Sequence, residues 1–245
     1  MPRTFTTQKL PRLLIQGAHV IDPGLKLDQV LDVYIDEGRI QKVGANLRAQ
    51  EYCEVIKASG LVLTPGWFDM HVHFREPGRE DKETVLTGCA AAVAGGFTGV
   101  CTMPNTSPTV DKREIVEALI RQGERTMVDV HPIAAATKGR EGKELAEMAE
   151  LVDAGAVAFS DDGCAIATAE LARRALEYAG MFQRPIIEHA EEASLCVGGV
   201  MNEGVMSTKL GLPGMPTVAE DIIVARDIML AEYTGCHVHI AHISS

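Results

Sequence analysis

The 245-residue sequence predicts an α/β fold: about six of the eight strands of a (β/α)8 barrel, preceded by the N-terminal portion of a small β domain. Three observations carry this expectation. From Leu61 onward, short apolar runs alternate with amphipathic stretches in the order strand, helix, strand, helix, the pattern of a parallel sheet with crossover helices. Over residues 1–60 only short strand-like runs occur, so the domain boundary is placed between 60 and 61. Histidines and aspartates fall at the carboxyl ends of several later runs, the end at which α/β barrels gather their chemistry.

In the first segment, Arg12–Gln16 and Ala18–Ile21 read as two strands. Val33–Ile35 and Arg39–Val43 flank Asp36-Glu37-Gly38, a hairpin turn in which Gly38 supplies a positive φ. Glu54–Ile56 makes another strand. Gly60–Phe68 is apolar enough to be a buried strand leading into His71 and His73, and Thr84–Gly95 is alanine-rich and helical. The second to sixth barrel strands are then Phe97–Met103, Val128–Ile133, Ala156–Phe159, Pro185–His189 and His237–Ile243. Between them, Asp111 with Glu114 and Thr217 with Glu220 read as capping boxes, Leu145–Val152 as a helix, and Thr168 as the cap of a helix through Leu176. A closed barrel needs eight strands to satisfy its edges. The chain is therefore expected to be a C-terminally truncated piece of a longer protein.

A net charge of −11, from 34 acidic and 23 basic residues, argues against a nucleic-acid partner, because phosphate binding needs a basic face. No run approaches the ~18 apolar residues of a membrane span, and Met1–Phe5 lacks the apolar core of a signal peptide. Six cysteines are scattered without a C-x-x-C pair, as expected of reduced thiols in a cytoplasmic protein. Of Gly95, Gly96 and Gly99, the first two follow a helix and precede the strand that contains the third. That order is the reverse of a dinucleotide-binding loop.

The most informative string is Asp69-Met70-His71-Val72-His73-Phe74-Arg75-Glu76-Pro77-Gly78. Side chains in a strand repeat every second residue, so His71 and His73 project to one face and can reach one metal ion. Asp161-Asp162 ends the fourth run, His189 the fifth and His242 the sixth. Each alone reads as a turn or rim residue. Together they are what a metal centre at a barrel mouth requires. His239 competes with His242, and strand alternation places the two on opposite faces. Arg75 follows the histidine pair by two residues, and a guanidinium suits bidentate binding of a carboxylate. Asn105, at the end of the second strand, can donate to the same carboxylate.

The whole pattern resembles the dihydroorotases of the amidohydrolase superfamily, whose fold is a TIM-type metal-dependent hydrolase barrel. The resemblance implies metal ligation by His71, His73, Asp162, His189 and His242, with Asp161 as the fallback for the bridging carboxylate. It implies substrate binding by His73, Arg75 and Asn105, one or two Zn2+ ions, and a general-base aspartate beyond Ser245. No catalytic base is therefore assigned within the chain, which is expected to be inactive by itself. The implied reaction is reversible hydrolysis of (S)-dihydroorotate to N-carbamoyl-L-aspartate in pyrimidine biosynthesis. The implied assembly is a homodimer or a complex with aspartate transcarbamoylase. Hydantoinases and allantoinases are similar around His71 and His73, but they bridge with a carboxylated lysine on the fourth strand, where Phe159–Gly163 offers none. Allantoinases also typically carry Asn at the position of Arg75. A non-catalytic, dihydroorotase-like scaffold beside aspartate transcarbamoylase is the alternative from another class. Such proteins lose metal ligands, and here every ligand expected within this span is present.

Overall fold

The computed structural model describes residues 11–245, so the Met1–Phe5 stretch lies outside the described residues. The chain divides into two compact units, one ending at Gly66 and one running from Trp67 to Ser245.

In the first unit, β1 (Arg12–Asp22) pairs antiparallel with β2 (Leu27–Asp36), which pairs antiparallel with β3 (Arg39–Gly44). Strands β4 (Cys53–Lys57) and β5 (Val62–Leu63) run parallel to β1. The two strands expected over Arg12–Ile21 are one. Its register shifts between Ile15 and Ala18, where Gly17 takes a φ of +74° and donates its N–H to Asp32 Oδ1 at 2.8 Å. A glycine accepts that conformation without a Cβ penalty, so the strand bulges rather than breaks. The β2–β3 hairpin turns at Glu37 and Gly38, both with positive φ, as a two-residue type I′ turn needs. Ala18, Val20, Val33 and Ala58 form the small core of this unit.

The expected strand Gly60–Phe68 is divided. Val62–Leu63 pairs with β1, whereas Trp67 begins β6 (Trp67–Val72) of the second unit. Nor is it buried, since Trp67 is 58% and Phe68 51% exposed. The reason lies in the strand order, β6-β7-β8-β9-β10-β13, in which β6 is a terminal strand with a neighbour on one side only.

The rest of the second unit runs α1 (Val85–Ala94), β7 (Phe97–Thr102), α2 (Arg113–Gly123), β8 (Asp129–Ala134), α3 (Met148–Ala154), β9 (Ala158–Phe159), α4 (Ala169–Gly180), β10 (Ile186–Glu188), β11 (Met201–Asn202), α5 (Val205–Leu210), β12 (Gly214–Met215), α6 (Val218–Thr234) and β13 (Val238–Ile240). The six strands of the main sheet are parallel and curl into a partial barrel. Alternation sorts their side chains. Val100, Phe159 and Ile186 face outward into a core shared with Val116, Leu119, Leu151 and Leu176 of the helices. Their neighbours Cys101, Ala158 and Ile187 face inward with Met103, Ile133 and Ala241. Complete burial of a side chain such as Phe159 is worth about 1.5–3 kcal/mol.

Helix starts are partly as the sequence predicts. Thr84 caps α1 by accepting from Thr87 N at 3.1 Å, and Thr168 caps α4 by accepting from Leu171 N at 3.2 Å. Each is worth about 1 kcal/mol. The two expected capping boxes do not form. Asp111 instead accepts from Gly139 N at 2.8 Å, and Glu220 accepts from Ser244 N at 2.9 Å. In both cases a backbone donor from a distant loop has taken the carboxylate. The segment from β11 to β12 carries neither helical nor strand periodicity long enough to be read in the sequence.

Candidate metal centre

His71 and His73 leave the end of β6 on the inward face. Asp162 shares the parity of inward Ala158, three residues beyond β9, and His189 that of inward Ile187 on β10. His242 reaches the same place differently. Alternation along β13 sends His239 and Ala241 inward and would turn His242 away. A φ of +35° at His242, beyond the end of β13, breaks that alternation, and its ring lies at the mouth against His189 and Asp162. His239 and His242 therefore border the same concavity, beside Asp69 and His71, and the expectation that only one could face inward is corrected.

All four imidazoles surround one carboxylate. His71 Nε2 lies 3.3 Å, His242 Nε2 3.5 Å and His189 Nδ1 3.7 Å from Asp162 Oδ1, while His73 Nε2 lies 3.6 Å from Oδ2. The nitrogens of His71 and His73 are 3.2 Å apart, and those of His189 and His242 are 3.1 Å apart. Neighbouring ligands of a tetrahedral ion bound at ~2.0–2.1 Å are about 3.3 Å apart. The donors already stand near the spacing an ion would impose. Donor atoms of His71, Asp162 and His242 all fall within 4.8 Å of one another. This set of imidazoles and one carboxylate fits a divalent metal.

Protonation follows from these contacts. Burial alone would raise the Asp162 carboxyl, but hydrogen bonds from His189 and His71, and the charge of His71 and His73, hold it well below the ordinary carboxylate range. The hydrogen bond to Asp162 holds His189 above the usual histidine value, against the effect of burial. Burial lowers His73, helped by repulsion from Arg75 and His71.

Asp161 points away from this cluster. Its Oδ1 accepts from the backbone N–H groups of Ala136 and Thr137, both at 3.0 Å, and its Oδ2 from Thr137 Oγ1 at 2.5 Å. It is a buried strap between the loops that follow β8 and β9. Asn105 donates from Nδ2 to Asp162 Oδ2 at 3.0 Å and accepts through Oδ1 from His73 Nδ1 at 2.9 Å. Arg75 is half-buried and carries a left-handed φ of +64°, a conformation that costs a non-glycine residue about 1–3 kcal/mol. Its charge reaches His73. A cavity of about 270 Å3 opens on the other flank, lined by His189, Glu191, Cys196, Asn202, Met215 and His242. The structure thus gathers His71, His73, Asp162, His189 and His242, adds Asn105 through hydrogen bonds, and leaves Arg75 and Asn105 outside that cavity's wall.

The sequence reading missed Asp161 as a strap, and it missed Glu188 and Arg226, which lie behind His189. One signal was available: Glu188 directly follows the apolar run Pro185-Ile186-Ile187 on the same strand. Burial, then the charge of Asp227, pushes the Glu188 carboxyl up to about 8.

Residues 60–245 match the model of the family described as dihydro-orotase-like. The chain belongs to this dihydroorotase-like family. It is 51% identical over 234 residues to a dihydroorotase of Pelobacter propionicus, covering 95% of this chain and 55% of that protein. It is 50% identical over 234 residues to a dihydroorotase of Pelotomaculum thermopropionicum, covering 96% of this chain and 55% of that protein. The chain thus spans about half the length of these curated dihydroorotases. In fold, it resembles the L-hydantoinase of Arthrobacter aurescens with a TM-score of 0.74 at 18% identity, over 96% of this chain and 53% of the hydantoinase. Among the described residues, no helix is long and apolar enough to cross a membrane.

Proposed function

We propose that this chain supplies the metal-binding part of a dihydroorotase, which hydrolyses (S)-dihydroorotate reversibly to N-carbamoyl-L-aspartate in pyrimidine biosynthesis. The observation that carries the reading is Asp162 at the centre of four histidines, at a position where hydantoinases and allantoinases use a modified lysine. Identity near 50% to several dihydroorotases supports the same choice. His71, His73, Asp162, His189 and His242 would hold one or two Zn2+ ions, since imidazole nitrogens with a carboxylate suit zinc. A bound ion there supplies Lewis acidity toward a carbonyl and toward water.

The chain's own residues do the rest of the work assigned here. Asp162, kept ionised by its histidine partners, offers both oxygens to the metal site. Asn105 keeps Nδ1 of His73 protonated and its Nε2 free. Arg75, whose guanidinium donates no hydrogen bond within the described residues, would take the exocyclic carboxylate of dihydroorotate with the remaining N–H of Asn105. Holding that carboxylate fixes the ring amide over the centre, and orientation of this kind is a large part of catalysis. Ring opening puts the oxygen of water on the carbonyl carbon and a proton on the leaving nitrogen. The family resemblance extends to the cytoplasm as the site of action, and to a homodimer or an aspartate transcarbamoylase complex. Light scattering of the protein alone and mixed with that enzyme reads the assembly.

The test is turnover by the complete gene product that carries these residues, offered dihydroorotate, hydantoin and allantoin in parallel. Ring opening of dihydroorotate well above the other two is the expected result. Preference for hydantoin or allantoin would replace the substrate assignment. Bound zinc without turnover of any of them would favour the scaffold.

A further inference from the structure

Asp162 sits in the loop from Ser160 to Thr168, between β9 and α4, and that loop is held at two buried points. The first is the Asp161 strap to Ala136 and Thr137. The second is Ile166, which is 1% exposed. Its N–H donates to Glu188 Oε1 at 2.8 Å, and its carbonyl accepts from Arg226 Nη1 at 2.7 Å. Arg226 Nη2 lies 3.8 Å from the same Glu188 oxygen, and its Nε donates to Asp227 Oδ1 at 2.7 Å. Glu188 is the last residue of β10, immediately before His189. Strand alternation turns the carboxylate toward the helices and the imidazole into the mouth. Arg226 arrives from the middle of α6.

A carboxyl group and a guanidinium buried behind a sheet carry a desolvation penalty that an apolar pair of the same volume would avoid. What they provide instead is direction. Two hydrogen bonds to one residue's backbone, the one from the guanidinium charge-assisted, define where the loop lies relative to β10. We propose that Glu188 and Arg226 are positioning residues for the metal centre, clamping both backbone groups of Ile166 so that the loop carrying Asp162 is fixed against the strand carrying His189. This rests on the reading of Asp162 and His189 as metal ligands. Neither clamp residue touches the ion or the substrate. Both act through the placement of ligands contributed by two different strands.

The test compares wild type with Arg226→Met, Arg226→Lys and Glu188→Gln. Zinc affinity is measured by chelator competition, the Co2+ absorption spectrum is recorded, and the Tm of the metal-free protein is taken separately. Loss of an outer partner of metal ligands typically weakens metal affinity by about 10–100-fold. Arg226→Met should reach that range and alter the Co2+ bands. Glu188→Gln keeps an oxygen for the Ile166 N–H and should stay below that range of about 10–100-fold. Arg226→Lys, with one point donor in place of a fork, should fall between them and carries the test if Arg226→Met does not fold. Folded arginine variants with wild-type zinc affinity and Co2+ spectrum, even at a lowered Tm, would show structural support only and overturn the clamp. No zinc binding by wild type would remove the metal-centre reading and the clamp with it.

Discussion

The side-chain amide nitrogen of Asn105 donates to Asp162 Oδ2 at 3.0 Å, and this contact sets the proton on a third residue. An ionised carboxylate only accepts hydrogen bonds, so the amide must turn its nitrogen toward Asp162 and its oxygen toward His73. That oxygen lies 2.9 Å from His73 Nδ1, which therefore carries the proton and leaves the Nε2 lone pair facing the other donors. A histidine ligand is oriented in this way by the hydrogen bond its second nitrogen makes.

Asn105→Ala should accordingly weaken zinc binding by about 10–100-fold, as removal of such an orienting partner does. Asn105→Asp should not restore it, because a second carboxylate would face Asp162 at close range. Chelator competition on the purified variants reads both. Wild-type affinity in Asn105→Ala would confine Asn105 to the substrate side.

The two adjacent aspartates should separate cleanly. Asp162→Ala removes a proposed ligand and should lower zinc affinity by more than the Asn105 variant does, with a modest effect on the Tm of the metal-free protein. Asp161→Ala leaves the buried Thr137 N–H without an acceptor, and Ala136 N–H with only the Ser160 carbonyl at 3.3 Å, and should cost about 1–3 kcal/mol of stability. Asp161→Asn keeps an oxygen for those groups and should recover much of it. Thermal unfolding of metal-free variants checks the stability ordering. The reverse pattern, with Asp161 controlling zinc and Asp162 stability, would exchange their roles.

Much of this arrangement was legible in the sequence because it follows from the period of a strand. His71 and His73 share a face two residues apart, and their spacing alone places them on one side. Asp162 over Asp161 came from the family resemblance, and the structure supplies the physical reason: Asp161 has the parity of outward Phe159 and is taken by the backbone of Ala136 and Thr137. His242 was legible as the end of the sixth run, but its choice over His239 rested on the resemblance. Alternation argues for His239, and the local φ of +35° that rescues His242 leaves no mark in its neighbours. Tertiary partners were illegible in the same way. Asp111 and Glu220 have the spacing of helix caps, yet Gly139 and Ser244, both distant in the chain, hold them. The exposed face of Trp67 and Phe68 was misread because an apolar run does not tell whether its strand lies inside a sheet or at its edge.

Arg75→Met should lower turnover of dihydroorotate by the complete gene product more than tenfold while its zinc content stays unchanged. The loss of one charged, desolvated contact with substrate is worth about 2–5 kcal/mol. Steady-state kinetics with metal analysis on the same preparations separates the two effects. Unchanged kcat/KM would make Arg75 a bystander whose strained backbone has another cause.

The thiols give a prediction with a pH attached. Burial pushes the Cys101 thiol up to about 11, and the charge of Asp69 adds to that. At pH 8 only about one Cys101 in a thousand would be thiolate, the form that reacts. Exposed Cys164 should react with iodoacetamide at pH 8 while Cys101 stays unmodified in the folded protein. Peptide mass mapping before and after denaturation reads this directly. Rapid labelling of Cys101 under native conditions would contradict its burial inside the sheet.

The most direct test of the account is the zinc stoichiometry of the purified chain, measured by equilibrium dialysis and elemental analysis beside a variant carrying His71→Ala, His73→Ala and Asp162→Ala together. The account expects one or two tightly held ions per wild-type chain and none above the buffer control in the variant. Equal zinc in the two proteins, or none in either, would contradict it.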